Sequence, residues 1–168
     1  MVAVAHLAAA EALFAPPNAL MAQEQDKNAT GAAIVPFEPE HLADIYPPVM
    51  TAEQLRKFKA AYRPQGPAYT CMDGDVALGC AGLIIKDGVG HAWAVLSDAI
   101  RRRPQLLHRA VLKGMDDALR YYDLTRMEAT VHSKFRKAQS WLRRLGFKYE
   151  KVLPDYLGTG ETYLRYGR

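Results

Sequence analysis

The stretch Glu128–Phe147, EATVHSKFRKAQSWLRRLGF, constrains the fold of this chain more than any other. Met127, Ala129 and Val131 alternate with polar neighbours, the period of a half-buried strand. A short polar break follows at Ser133. From Phe135 the period lengthens. Phe135, Ala138, Trp141, Leu142 and Leu145 share one face of a helix, with Lys134, Arg136, Lys137, Arg143 and Arg144 facing outward. Gly146 ends the helix, because glycine enters the left-handed backbone region without a Cβ penalty. Phe147 then turns inward to begin the next strand. A strand, a helix and a second strand joined this closely point to a layered α+β domain with helices laid on a sheet.

The rest of the chain repeats these two periods. Val2–Phe14 is apolar and rich in helix formers, and Pro16-Pro17 ends it. Gln23–Gly31 is a polar linker. Residues 1–31 therefore read as an apolar N-terminal arm or tail, and 32–168 as the domain. Ala32–Phe37 is a strand with Pro36 pushing it toward an edge. A short helix starts at Pro39 and closes at Pro47-Pro48. Thr51 and Gln54 form a capping box for a second helix, running to Tyr62. Two turn signals, Asp73-Gly74 and Asp87-Gly88, divide the strands Ala68–Met72, Val76–Lys86 and Gly90–Ser97 into a meander. Ile100–Tyr122 returns to a helical period, with Leu107, Val111, Met115, Ala118 and Leu119 on its apolar face and Pro104 in its first turn. After the opening stretch come Tyr149–Leu153, a loop, and a last strand Glu161–Tyr166. The order is β-α-α-β-β-β-α-β-α-β-β.

A chain of 168 residues with 49% hydrophobic and 24% charged residues is one ordinary domain that needs no metal or disulfide to hold it. Cys71 and Cys80 fall on facing strands. They are either close enough to pair or, the reading favoured, two small buried hydrophobes in a reducing compartment. The histidines at 6, 41, 91, 108 and 132 have no ligand spacing, so no metal site is expected. No apolar run reaches the length of a membrane span, and the N-terminus lacks the basic start of a secretory signal. The net charge of +4 is concentrated in Arg101–Arg103 and on the helix after Phe135. On that helix Phe135 and Trp141 point inward, which argues against nucleic-acid binding.

The element order and the Ala138…Gly146-Phe147 spacing resemble the GCN5-related N-acetyltransferase (GNAT) superfamily. Its members often carry Asn-x-x-Ala-x-x-x-Tyr-x-x-x-Gly-Phe at this helix. Asp155–Gly160 followed by Glu161–Tyr166, ETYLRY, resembles the family's last hairpin. The resemblance covers residues 32–168. It implies a three-layer GNAT-like fold, a mixed and mostly antiparallel sheet flanked by helices. Trp141–Phe147, WLRRLGF, with Ser97-Asp98 and Pro104 upstream, is also similar to a divergent group encoded by tailed bacteriophages. Some of that group are acyl-CoA N-acyltransferases and others are virion-associated. A cytoplasmic (host cell) or virion-associated location follows from that resemblance.

The resemblance also implies where chemistry should sit. Acetyl-CoA or another acyl-CoA would lie along Val95, Leu96 and Ser97, with an N–H between Ala94 and Leu96 facing the thioester oxygen. In the family a glycine-rich turn holds the pyrophosphate at a helix N-terminus. Here the turn is Ser97–Gln105, SDAIRRRPQ, with no glycine, and Pro104 removes a donor. Either Arg101, Arg102 and Arg103 replace the cradle with charge, or CoA binding has been lost and the arginines serve a partner. The family's proton-donating Tyr position holds Leu142, and its Asn position Phe135. Tyr149 and Tyr156 are the nearest substitutes. His91, Glu128 and His132 are the candidate bases. Two functions follow as expectations. One is an acyl-CoA-dependent N-acyltransferase acting on a small amine or a protein amine. The other is a non-catalytic GNAT domain that docks to a protein partner or virion subunits through residues 1–31.

Overall fold

The computed structural model describes residues 32–45, 66–102 and 104–168. The expected arm over 1–31 and the expected helix from Thr51 to Tyr62 lie outside the described residues, as do Arg103 and the side chains of Arg101 and Arg102. Seven strands form one sheet: β1 (Ala32–Pro36), β2 (Ala68–Asp73), β3 (Val76–Lys86), β4 (Val89–Leu96), β5 (Arg126–His132), β6 (Lys148–Leu153) and β7 (Tyr163–Gly167). Their spatial order is β1-β2-β3-β4-β5-β7-β6. Every neighbouring pair is antiparallel except β4 and β5. Among the described residues three helices flank it: α1 (Leu42–Ile45), which follows a 3-10 turn at Pro39–His41, then α2 (Pro104–Tyr121) and α3 (Arg136–Arg144). This is the mixed, mostly antiparallel, helix-flanked sheet that the sequence implied.

The turn residues fix the registers of the meander. Asp73 pairs with Val76 across Gly74, whose φ is 59°. Asp87 and Gly88 both have positive φ, 51° and 73°, the pattern of a type I′ turn, whose twist matches that of the strands. A bulge interrupts β2 and β3: Cys71 pairs with Gly79 but Met72 with Ala77, leaving Leu78 extra. The bulge sends Leu78 and Cys71 to the α2 side of the sheet, while Ala77 and Cys80 face α1. The two cysteines therefore sit on opposite faces as buried thiols, not as a disulfide.

Pro104 is the first residue of α2, where a missing N–H costs nothing. The end of α3 is a Schellman motif. Gly146 N–H donates to Arg143 C=O at 3.1 Å and Phe147 N–H to Leu142 C=O at 3.0 Å, with Gly146 at φ 88°. Phe147, 2% exposed, then enters the main core with Met127, Val131, Leu145 and Tyr166. Burying a side chain of that size is worth about 2–3 kcal/mol. That exceeds the few tenths that helix propensity contributes at any one position of the short α3. Packing against the sheet, not propensity, holds α3 in place.

The core has two sides. Met127, Ala129 and Val131 of β5 face α2 and α3. Leu42 and Ile45 of α1 cover Ala77 and Cys80 on the other side, with Phe37 and Trp93 packed beside them. On that side a polar chain also runs inward from the surface. Glu38 N–H donates to His41 Nδ1 at 3.1 Å, so the Thr70 hydroxyl, 2.8 Å away, donates to the same nitrogen. Thr70 Oγ1 lies 3.3 Å from Cys80 Sγ, and neither residue is exposed.

Candidate functional site

Parallel pairing between β4 and β5 is brief. It runs from Val89↔Arg126 to Ala92↔Ala129 and stops. Both strands continue, β4 to Leu96 and β5 to His132, each paired only on its outer side, with β3 and β7. The sheet therefore splits in its middle. Backbone direction alternates along a strand. Ser97 N–H points toward β3, where it donates to Leu78 C=O at 2.9 Å. The same alternation points the N–H of Val95 at β3 and those of Ala94 and Leu96 into the split.

A cavity of about 130 Å³ opens at the split. Its walls are apolar: Leu107, Val111 and Met115 from α2, Trp141 and Leu142 from α3 with Leu145 at its C-cap, and Ala94 and Val131 from the parting strands. Few polar side chains reach it. Tyr69 of β2 is the one phenol that lines it among the described residues. Burial pushes the Tyr69 hydroxyl up, Asp117 adds to the shift and Lys113 opposes it, so the group stays protonated.

The opposite face of the same strands is charged. Glu128, its side chain 15% exposed, forms an ion pair with Arg126 at 3.0 Å and lies 3.5 Å from Arg165 Nη1. Its other neighbour is His91, with Nδ1 at 3.9 Å from Oε2. Arg126 also holds Glu150 at 2.6 Å. His91 and Glu128 are register partners across the last pairs before the split, so the parallel seam itself brings these two expected residues together.

The other expected residues disperse. His132 ends β5. Its Nδ1 accepts from Lys134 N–H at 3.1 Å, so Nε2 carries the proton and lies 3.5 Å from Glu161. Its ring meets Tyr163 at 5.2 Å, and Tyr163 meets Tyr156 at 5.8 Å. Burial, with Glu161 adding to it, pushes the Tyr163 phenol up as well. Tyr149 lies on β6, two strands from β5, 52% exposed, its ring against Tyr166. Neither Tyr149 nor Tyr156 lines the cavity. Val95 faces α1 beside Trp93, and Leu96 packs with Ile100 and Leu107. The Ser97 hydroxyl donates to Leu78 C=O at 2.7 Å. The turn before α2, Asp98–Arg102, is a 3-10 helix whose Ile100 is buried in the core.

Tyr69 and Thr130 line the cavity and are chemistry-bearing residues that the sequence alone does not single out. The alternation of β2 put Tyr69 and Cys71 on one face and was the only local hint. Among the described residues no group of three side chains can hold a metal ion. Nor is any described helix long and apolar enough to cross a membrane.

No protein-family model and no curated protein matches this chain. Solved structures do. The chain is similar to the ribosomal-protein-S18-alanine N-acetyltransferase from Escherichia coli, with 13% identity and a TM-score of 0.65 over 81% of this chain and 92% of that one. It is equally similar to the ribosomal-protein-S5-alanine acetyltransferase from Vibrio fischeri, with 16% identity and a TM-score of 0.64 over 82% and 92%. A variant of the spermidine N-acetyltransferase from Vibrio cholerae matches with 12% identity and a TM-score of 0.64 over 82% and 93%. The fold is the one that these acetyltransferases share, as the Ala138…Gly146-Phe147 spacing implied.

Proposed function

We propose that this chain is a divergent acyl-CoA-dependent N-acyltransferase, with the reaction centred where β4 and β5 part. The single observation behind this reading is the end of pairing at Ala92↔Ala129, which opens an apolar cavity beneath two outward-directed N–H groups. The residues fit the thioester end of such a donor. Bound there, an acyl-CoA would supply an activated carbonyl. The N–H of Ala94 or Leu96 would stabilise negative charge on its oxygen. Trp141 and Leu142 would exclude water from it. Leu142 donates no proton, so the CoA sulfur would leave as the thiolate and take its proton from solvent. The amine would approach from the charged face. There the His91–Glu128 pair would accept its proton, with Arg126 and Arg165 holding the carboxylate in position.

The acceptor is a small amine or a protein amine. Membership of the bacteriophage-encoded group is part of the proposal and rests on Trp141–Phe147 and Ser97-Asp98. A second reading has one observation in its favour: Ser97 and Ile100, at the turn where a phosphate cradle would stand, are turned to packing. In that reading the domain is a docking module of a virion or other assembly.

Calorimetric titration with acetyl-CoA and with CoA separates the two. The acyltransferase reading expects saturable binding to both at micromolar to millimolar ligand. Absence of heat at millimolar ligand would refute it in favour of the docking module.

A further inference from the structure

We infer that the cavity is built for an acyl chain of about six to eight carbons rather than for acetyl. This deepens the acyl-CoA reading and rests on it. The cavity does not end at the split. Ala94, at the split, pairs with Ala81 of β3, and Ala81 pairs with Tyr69 of β2. All three line the cavity. They form a row across the sheet on the face that α2 covers, two methyl side chains and then a ring. Strands lie about 4.8 Å apart, so the row spans roughly 10 Å. An extended chain advances roughly 1.2 Å per bond, so about eight bonds bridge that distance.

The roof points the same way. Ala110 and Gly114 of α2 also line the cavity, one turn apart. Gly114 is inside an eighteen-residue helix, where glycine is the poorest residue after proline. Among the described residues nothing requires it there: a Cβ built on Gly114 would meet none of their atoms within 4 Å. The space that the glycine leaves is therefore not filled by any described residue. Ala81 and Ala94 sit on central strands of a seven-stranded sheet under a helix, yet both stay partly exposed. A floor of alanines, an unforced glycine in the roof and a phenol at the far end describe a channel for an aliphatic tail. Its volume, about 130 Å³, is close to the roughly 150 Å³ at which an apolar cavity takes benzene. Acetyl would leave most of it empty.

The test is titration of the full chain and of Gly114→Ala with CoA, acetyl-CoA, hexanoyl-CoA and hexan-1-ol. Each buried methylene adds roughly fourfold in affinity, so hexanoyl-CoA should bind ten- to hundredfold more tightly than acetyl-CoA once chain ordering is allowed for. Gly114→Ala should raise the melting temperature by about 2–4 °C, since it improves the helix without a clash. It should also cut the hexanoyl-to-acetyl ratio at least fivefold. Equal affinity for acetyl-CoA and hexanoyl-CoA would overturn the inference and leave the acyl-CoA reading standing. Binding of hexan-1-ol that Gly114→Ala weakens, with no binding of any CoA ester, would overturn the acyl-CoA reading and keep the aliphatic channel. No binding of any of the four ligands would overturn both.

Discussion

Replacing Gly146 by alanine tests whether the end of α3 is held by backbone geometry or by contacts. Gly146 is exposed and has φ 88°. A Cβ there would approach only the Arg168 side chain, at 3.5 Å, an ordinary contact. Overlap therefore contributes nothing, and the loss is that of a left-handed residue with a Cβ, about 1–2 kcal/mol. The helix cannot escape by unwinding its last turn. That would break the bonds from Gly146 and Phe147 and expose Phe147, which costs more than the strain. A domain of this size shifts its melting temperature by about 2–4 °C per kcal/mol, so Gly146→Ala should melt about 2–8 °C lower. Gly146→Asn should lose about half as much, because asparagine tolerates this region. Scanning calorimetry and urea curves with an unchanged m-value would measure both. If alanine cost nothing, or asparagine cost as much as alanine, the backbone argument would be wrong.

Glu128→Gln keeps shape and removes the negative charge. Turnover should fall about 100-fold or more while donor affinity holds, read by thiol release with an amine acceptor. An unchanged rate would remove the His91–Glu128 pair from the reaction. Burial, opposed by the Thr70 hydrogen bond and aided by Cys71, pushes the Cys80 thiol up to about 12 from an ordinary value of about 9. Between those values the unfolded thiol has lost its proton and the folded one has kept it. Stability is therefore whole below about pH 9 and falls as pH rises toward about 12, with a slope of at most about 1.4 kcal/mol per unit. Urea unfolding of Cys80→Ala across that range should show a flatter profile, and a slope identical to wild type would count against the buried-thiol account.

Local chemistry was legible in the sequence, and pairing across distance was not. Asp87-Gly88 and Gly146 announce themselves, because each conformation is imposed by the residue that adopts it. Pro104 and the alternation of β5 are equally local. The bulge at Leu78 left no such mark, and it decides that Cys71 and Cys80 face opposite ways. Tyr149 and Tyr156 stand near Gly146 in sequence, yet β7 comes between β6 and β5 and keeps Tyr149 from the split. Tyr69 lies far away in sequence but reaches the cavity through two successive strand registers. His91 and Glu128 stand 37 residues apart, and nothing local links them. Their meeting needed the one parallel seam, which no hairpin rule could supply.

That seam joins two antiparallel fans, β1 to β4 and β5 to β6, through four residue pairs. Mechanically it is the vertex of a wedge, and the walls beyond it act as lever arms. From Ala92 to Leu96 the arm is roughly 13 Å long, so a small change of angle at the vertex is magnified at the mouth. Gly90 sits within the vertex, where an added Cβ would press on Leu124 at 3.0 Å and Met127 at 3.4 Å. The aperture of the site is thus tied to Gly90, which does not itself line the cavity.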